Sequence, residues 1–220
     1  MKIQAAFIFD MDGVIVDSNP FHKIALKQFC KKHGRDLSEA ELREKIYGRR
    51  NQDWLTNVFG QLDGAKMKAF ADEKEALFRE LYDKEVKPVE GLPDFLRRLY
   101  ALGIPRAIAT SAPGANVDFT LEKTGIGEYF TTILDDSFVT HGKPHPEVYQ
   151  KAAAALKYEP QHCVVFEDSL AGVEAGKKAG CKVVGITTTH TPEELCETDM
   201  VIDNFIELDP RDLISRLFGA

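Results

Sequence analysis

Two aspartates spaced by one residue, Asp10 and Asp12, follow an apolar run and precede a glycine in Phe7-Ile8-Phe9-Asp10-Met11-Asp12-Gly13-Val14. Residues two apart on an extended chain point the same way, so the pair stands close together just past a strand end. Carboxylates that close repel one another unless a cation or a proton lies between them. Thr110-Ser111 and Glu167-Asp168 also end apolar runs, and Lys143 lies in the loop Gly142-Lys143-Pro144-His145-Pro146. Each group admits a plainer use when taken alone. Asp10 and Asp12 suit a turn, Thr110-Ser111 and Asp168 or Ser169 suit helix N-caps, and a loop lysine is usually solvated. Capping does not explain all of them at the strand ends of one sheet.

Together they fit phosphoryl chemistry. Carboxylates from two strands are hard oxygen ligands suited to Mg2+, which keeps water and phosphate among its ligands. Hydroxyls and backbone N–H groups ahead of a helix suit a phosphoryl group, and a lysine adds compact positive charge. One aspartate can attack phosphorus while the other moves protons to and from oxygen.

The elements that must position these groups follow from the apolar patterning. Residues 3–9 form a buried strand. Pro20 opens a helix with apolar residues at Phe21, Ile24, Leu26 and Phe29, and Gly34 stops it. Ser38 with Glu41 makes a capping box for a second helix ending near Gly48. Asn51 is placed to N-cap a third helix over 52–59, and a fourth runs from Ala65 to about Glu85. Residues 18–86 are thus expected to be all-helical. After Pro88 strands alternate with helices. Strands fall at 104–109, 132–134, 163–166, 182–187 and 200–202, and helices at 92–102, from Pro113, 146–156, 169–179 and 209–218. Repeated β–α units predict an α/β fold with a doubly wound parallel sheet, and ligands of such sheets bind at the carboxyl ends of the strands. The expected organisation is a core of residues 1–17 and 87–220 interrupted by a helical domain at 18–86.

Composition narrows the function classes. At 220 residues, 44% hydrophobic and 29% charged, the chain is an ordinary globular protein. Its net charge of −7 and the absence of a long basic run argue against a nucleic-acid surface. No stretch has the roughly 18 apolar residues of a membrane span, and the run from Ala5 to Phe9 is too short for a signal peptide. Cys30, Cys163, Cys181 and Cys196 have no metal-binding spacing, and Cys163 and Cys181 read as buried thiols. A cytoplasmic monomer acting on a small metabolite is expected.

The motifs Phe9-Asp10-Met11-Asp12-Gly13-Val14, Ala109-Thr110-Ser111, Gly142-Lys143-Pro144 and Phe166-Glu167-Asp168-Ser169 occur in the order found in one family. The chain resembles the haloacid dehalogenase superfamily over essentially its whole length, in particular its β-phosphoglucomutase-like branch. The resemblance implies that Asp10 is the nucleophile and Asp12 the acid/base. It implies that Thr110, Lys143 and the backbone of Ser111 and Ala112 hold the phosphoryl group. Asp10, Asp12 through its carbonyl, Glu167 and Asp168 would bind Mg2+. Residues 18–86 would form a cap over the substrate, with hinges at 17–18 and 86–89. Members that cleave halides or phosphonates lack an aspartate two after the nucleophile, so Asp12 points to phosphate esters or anhydrides.

The resemblance also divides phosphatase from mutase. His22 falls where β-phosphoglucomutases carry a cap histidine, and Lys74 matches a substrate-contacting lysine loosely, on a helix that otherwise reads as a solvated face. Those mutases carry an arginine three residues after the glycine matching Gly48, where it binds a second phosphate; here that position is Asn51. Arg49 and Arg50 precede it and read as exposed cap charge. A mutase must grip a bisphosphate at both ends, so a phosphatase of small phosphorylated metabolites, sugar phosphates above all, is favoured. A β-phosphoglucomutase is the alternative, and a non-catalytic phosphate-binding module is a remote third. His141 and His145 flank Lys143 and are assigned no role.

Overall fold

The computed structural model describes residues 5–46 and 49–219. Contacts divide the chain into two compact units, one of residues 1–17 with 87–220 and the other of residues 18–86.

The first unit is built on six parallel strands: β1 (Ala6–Phe9), β2 (Arg106–Ala109), β3 (Thr132–Leu134), β4 (Cys163–Glu167), β5 (Lys182–Ile186) and β6 (Met200–Ile202). Their order is β3-β2-β1-β4-β5-β6, the doubly wound α/β fold that the alternation of elements requires. The order reverses between β1 and β4, whose register pairs Phe9 with Phe166. Both faces of the sheet are covered, which is why the strands are continuously apolar. Alternation sends Phe7, Phe9 and Phe166 to one face, where they pack with Phe95 of helix α5 (Leu92–Ala101) and with Phe205. Ala6, Ile8, Ala107, Ala109 and Val165 fill the other face, where Tyr149, Ala152 and Ala153 pack on them. Small residues on both sides of that contact let the helix carrying Tyr149 approach the sheet closely. Gly91 permits another close approach. Its φ is +81°, and a Cβ there would lie 2.4 Å from the backbone N of Ile206.

The second unit contains helices α1 (Asn19–Lys32), α2 (Glu39–Lys45), α3 (Asn51–Phe59) and α4 (Gly64–Tyr82). Leu26, Phe29, Leu42, Trp54 and Leu55 form its own buried core. Ser38 and Glu41 make the expected capping box, while the expected helix end near Gly48 lies outside the described residues. Asn51 is not the N-cap of α3. Arg50 occupies that position without a side-chain capping bond, and Asn51 opens the helix with its amide directed elsewhere. Among the described residues no helix is long and apolar enough to cross a membrane.

Candidate active site

Asp10 follows β1 directly, and its N–H donates to the Phe166 carbonyl at 3.1 Å, extending the ladder by one residue. That register sets Asp10 beside Glu167, the last residue of β4. The chain then turns at once. Gly13 has φ +80°, its N–H donates to the Val16 carbonyl at 2.7 Å, and the Thr188 hydroxyl donates to its carbonyl. Asp12 sits half-buried in this turn.

Lys143 comes from the loop that precedes helix α7 (Glu147–Leu156). Its Nζ donates to Asp10 Oδ1 at 2.7 Å and to Glu167 Oε1 at 2.6 Å, with the lysine side chain only 6% exposed. Asp168 follows Glu167 and accepts from the Thr189 hydroxyl. Carboxylate oxygens of Asp10, Glu167 and Asp168 all lie within 4.8 Å of one another, and the three residues are buried. Three buried carboxyls therefore gather at one ammonium, which bonds two of them.

The electrostatics follow from that count. Burial, with the charges of Glu167 and Asp12, pushes the Asp10 carboxyl up to about 7 against the pull of Lys143. Burial likewise raises Asp168 well above the ordinary range, with Glu167 and Asp10 adding to it. For Glu167 burial is outweighed by the charge and hydrogen bond of Lys143, by the Ser169 N–H and by the Tyr149 hydroxyl, so it is held low. Burial disfavours the charged lysine, yet Asp10 and Glu167 overcome it and hold Lys143 above its ordinary value. The donor set fits a hard divalent cation. Buried carboxylate oxygens lie close enough to share one ion, and two of the carboxyls are raised by burial and by their carboxylate neighbours, which a cation would offset.

Thr110, Ser111 and Ala112 stand at the carboxyl end of β2, the strand next to β1. Thr110 is buried, and its Oγ1 accepts from the Ala112 N–H at 3.1 Å. These hydroxyls do not cap the following helix, α6 (Gly114–Thr124), whose N-cap is Pro113. Ser169 does serve as an N-cap, accepting from the Gly172 N–H at the start of helix α8 (Leu170–Ala179). His141 and His145 lie in the loop around Lys143, where Glu147 accepts from the His141 and Thr140 N–H groups and from Lys151. Those bonds commit the Glu147 carboxylate to holding the loop.

His22, Asn51 and Lys74 come together in the 18–86 unit. The Lys74 Nζ lies 3.0 Å from His22 Nδ1 and donates to Glu75 Oε1 at 2.9 Å. Asn51 donates to the same Glu75 oxygen at 2.9 Å and accepts from Trp54 Nε1 at 2.9 Å. The His22 ring stacks on Phe78 with centroids 3.6 Å apart. Lys74 is buried, contrary to the solvated face its helix suggests, because Glu75 neutralises it inside the unit. Arg49 is exposed and donates to the Glu44 carbonyl, and Arg50 pairs with Asp53.

Sequence reasoning missed Tyr149, Thr188, Thr189 and Glu75. The run Thr187-Thr188-Thr189 at a strand end carries the polar signal already used for Thr110. Tyr149 carries none, since an aromatic on the apolar stripe of a helix reads as core.

A doubly wound sheet with acidic residues and a lysine converging at its switch point defines a class of phosphoryl-binding hydrolases. Residues 7–186 match the haloacid dehalogenase-like hydrolase family, and the chain belongs to it. It is 30% identical over 202 residues to validoxylamine A 7'-phosphate phosphatase of Streptomyces hygroscopicus subsp. limoneus, covering 91% of this chain and 94% of that one. Its fold matches a HAD hydrolase, family IA, variant 3, of Entamoeba histolytica with a TM-score of 0.88 at 29% identity, over 97% of this chain and 99% of that one. It also matches β-phosphoglucomutase of Clostridium difficile with a TM-score of 0.83 at 27% identity, over 96% of each chain.

Proposed function

We propose that the protein is a Mg2+-dependent phosphatase of small phosphorylated metabolites of the sugar-phosphate class, working through a phosphoryl group carried on Asp10. The observation that carries this reading is the buried Lys143 joined to Asp10 and Glu167, with Asp168 alongside and Asp12 two residues on. Asp10 Oδ attacks phosphorus and the bond to the ester oxygen breaks, while Asp12 gives that oxygen a proton. Asp12 then takes a proton from water, the water oxygen attacks phosphorus, and Asp10 leaves as inorganic phosphate forms. Lys143, Thr110 and the N–H groups of Ser111 and Ala112 hold the phosphoryl oxygens, so the reaction runs mainly on position and charge. Asp10, the Asp12 carbonyl, Asp168 and Glu167 would hold Mg2+. When bound, the cation offsets the negative charge gathered at phosphorus.

Residues 18–86 are proposed as the cap that reads the leaving group, with His22, Lys74 and Asn51 as its polar contacts. A small phosphorylated metabolite as substrate draws support from the relative named validoxylamine A 7'-phosphate phosphatase. We place the protein in the cytoplasm, where the buried free thiols Cys30, Cys163 and Cys181 stay reduced. The mutase reading is favoured by the His22–Lys74 pair and the fold match to β-phosphoglucomutase. Against it, Asn51 offers no charge to a second phosphate and its amide is engaged by Glu75 and Trp54.

A phosphate-release screen over hexose phosphates, phosphoglycolate, nucleotides and pyrophosphate tests the proposal. Turnover that needs Mg2+ and peaks among sugar or polyol phosphates is expected; silence across the panel with Mg2+ bound would overturn it. Incubation with β-glucose 1-phosphate and a trace of bisphosphate should yield no glucose 6-phosphate.

A further inference from the structure

Tyr149 lies on α7, fully buried beneath the carboxylate cluster. Its Oη donates to Glu167 Oε1 at 2.7 Å, the same oxygen that accepts from Lys143 at 2.6 Å. The Lys143 Nζ also stands 4.9 Å from the centre of the Tyr149 ring. The other Glu167 oxygen accepts from the Asp168 N–H, the Ser169 N–H and the Ser169 hydroxyl, each at 3.0 Å. Among the described residues Glu167 thus accepts five hydrogen bonds, filling the roughly four lone-pair sites of a carboxylate.

We propose that Tyr149 is a positioning residue that holds Lys143 on the phosphoryl group by locking the Glu167 carboxylate. The proposal rests on the reading that Lys143 binds phosphate. Lysine is a point charge on a flexible four-carbon stem, so its placement depends on what grips its ammonium. Asp10 cannot hold it in place through the reaction, because Asp10 is itself the attacking group. Glu167 remains as the fixed anion, and the Ser169 bonds restrain only one of its oxygens. The Tyr149 hydroxyl restrains the other, and the ring beneath Lys143 keeps its ammonium from dropping toward the helix. A phenylalanine would fill the same apolar space among Ala6, Val165 and Ala152 and need no partner, so packing alone does not call for the hydroxyl.

The test is a double-mutant cycle on the binding of inorganic phosphate with Mg2+ present, followed by calorimetry, with kcat/KM for p-nitrophenyl phosphate measured alongside. Tyr149→Phe keeps the ring and removes the hydroxyl. It is expected to weaken phosphate binding and lower kcat/KM by about ten-fold, the scale of one hydrogen bond to a charged group. In a Lys143→Met background the same change should alter phosphate affinity less than about two-fold, because nothing remains to be positioned. A single-variant loss under about three-fold overturns the proposal. So does an equal loss in both backgrounds, which is what general loosening of the fold would produce. Lys143→Met binding phosphate as tightly as the wild type removes the reading of Lys143 and the proposal with it. Lys143→Met losing affinity while Tyr149→Phe keeps it removes the proposal alone.

Discussion

Asp10 holds a charge that its surroundings resist. Its pKa rises from 3.8 to about 7 on folding because it is buried beside Glu167 and Asp12, even with Lys143 in contact. A carboxyl raised in this way contributes fully to stability below its unfolded pKa and loses that contribution as pH rises through the folded value. With metal chelated, the wild-type melting temperature should therefore fall between about pH 4 and pH 7. Asp10→Asn keeps an acceptor for Lys143 and removes the charge. It should melt about 5 °C above the wild type at pH 8 in chelator, with the gap closing toward pH 4 and on addition of Mg2+. The same variant should lose turnover by more than about a thousand-fold, since an amide is no nucleophile. Calorimetric scans over pH read the first outcome and phosphate release the second; a lower melting point at pH 8 would contradict the account of the buried charge.

The turn from β4 into α8 is the element on which the cluster depends. Glu167 folds back so that its carboxylate accepts the Asp168 and Ser169 N–H groups just ahead of the helix, and Ser169 caps the helix by accepting from the Gly172 N–H. Gly172 lies under that carboxylate, where an added Cβ would come 1.7 Å from Glu167 Oε1. In an ordinary helix glycine-to-alanine gains up to about 1 kcal/mol. Here Gly172→Ala should destabilise by about 2 kcal/mol, through overpacking, and displace Glu167 enough to weaken phosphate binding. Denaturant unfolding and calorimetry measure the two. Ser38→Ala, which breaks the α2 capping box far from the cluster in sequence, should lower stability by about 1 kcal/mol with phosphate affinity unchanged. Element boundaries were legible because caps and breakers are local. Ser169 and Asp209 cap the helices that follow them, and Gly180 closes its helix in the left-handed conformation. The N-cap expected at Asn51 failed because its Oδ1, the atom that would cap, accepts from the Trp54 indole N–H, while its Nδ2 donates to a buried glutamate 24 residues away.

For the whole molecule, the decisive feature is how residues 18–86 are inserted. Val16 and Pro88 form an antiparallel bridge, and the Val89 N–H donates to the Ile15 carbonyl at 2.9 Å. Both ends of the inserted segment thus leave the sheet unit side by side. Each unit also has its own apolar core. Replacing residues 18–86 with a short Gly-Ser linker should leave a folded sheet that still binds Mg2+ and phosphate, because closing so short a gap adds little loop entropy. The shortened protein should hydrolyse its substrates slowly and lose most discrimination among phosphate esters. Circular dichroism, a cooperative melt and the substrate panel decide it; a chain that fails to form the sheet would show that the two units are one folding entity.

The sequence by itself determined the order of elements, the doubly wound sheet, and the cluster of Asp10, Lys143, Glu167 and Asp168. The elements and their acidic ends are local: an apolar run that stops at a carboxylate, or a glycine that closes a helix, is visible without knowing what packs against it, and the ordered motifs of the family resemblance bring Lys143 to them. Tertiary structure alone decided which groups brace the cluster and which lie apart from it. Tyr149 reads as core until its hydroxyl is found on a carboxylate of a strand later in the chain. Lys74 reads as solvated until Glu75 and His22 are found around it. His141 and His145, adjacent to Lys143 in sequence, lie in a loop held by Glu147, with His141 bonded to it. Hydrogen bonds between distant residues leave no periodic trace, because they depend on where strands and helices meet.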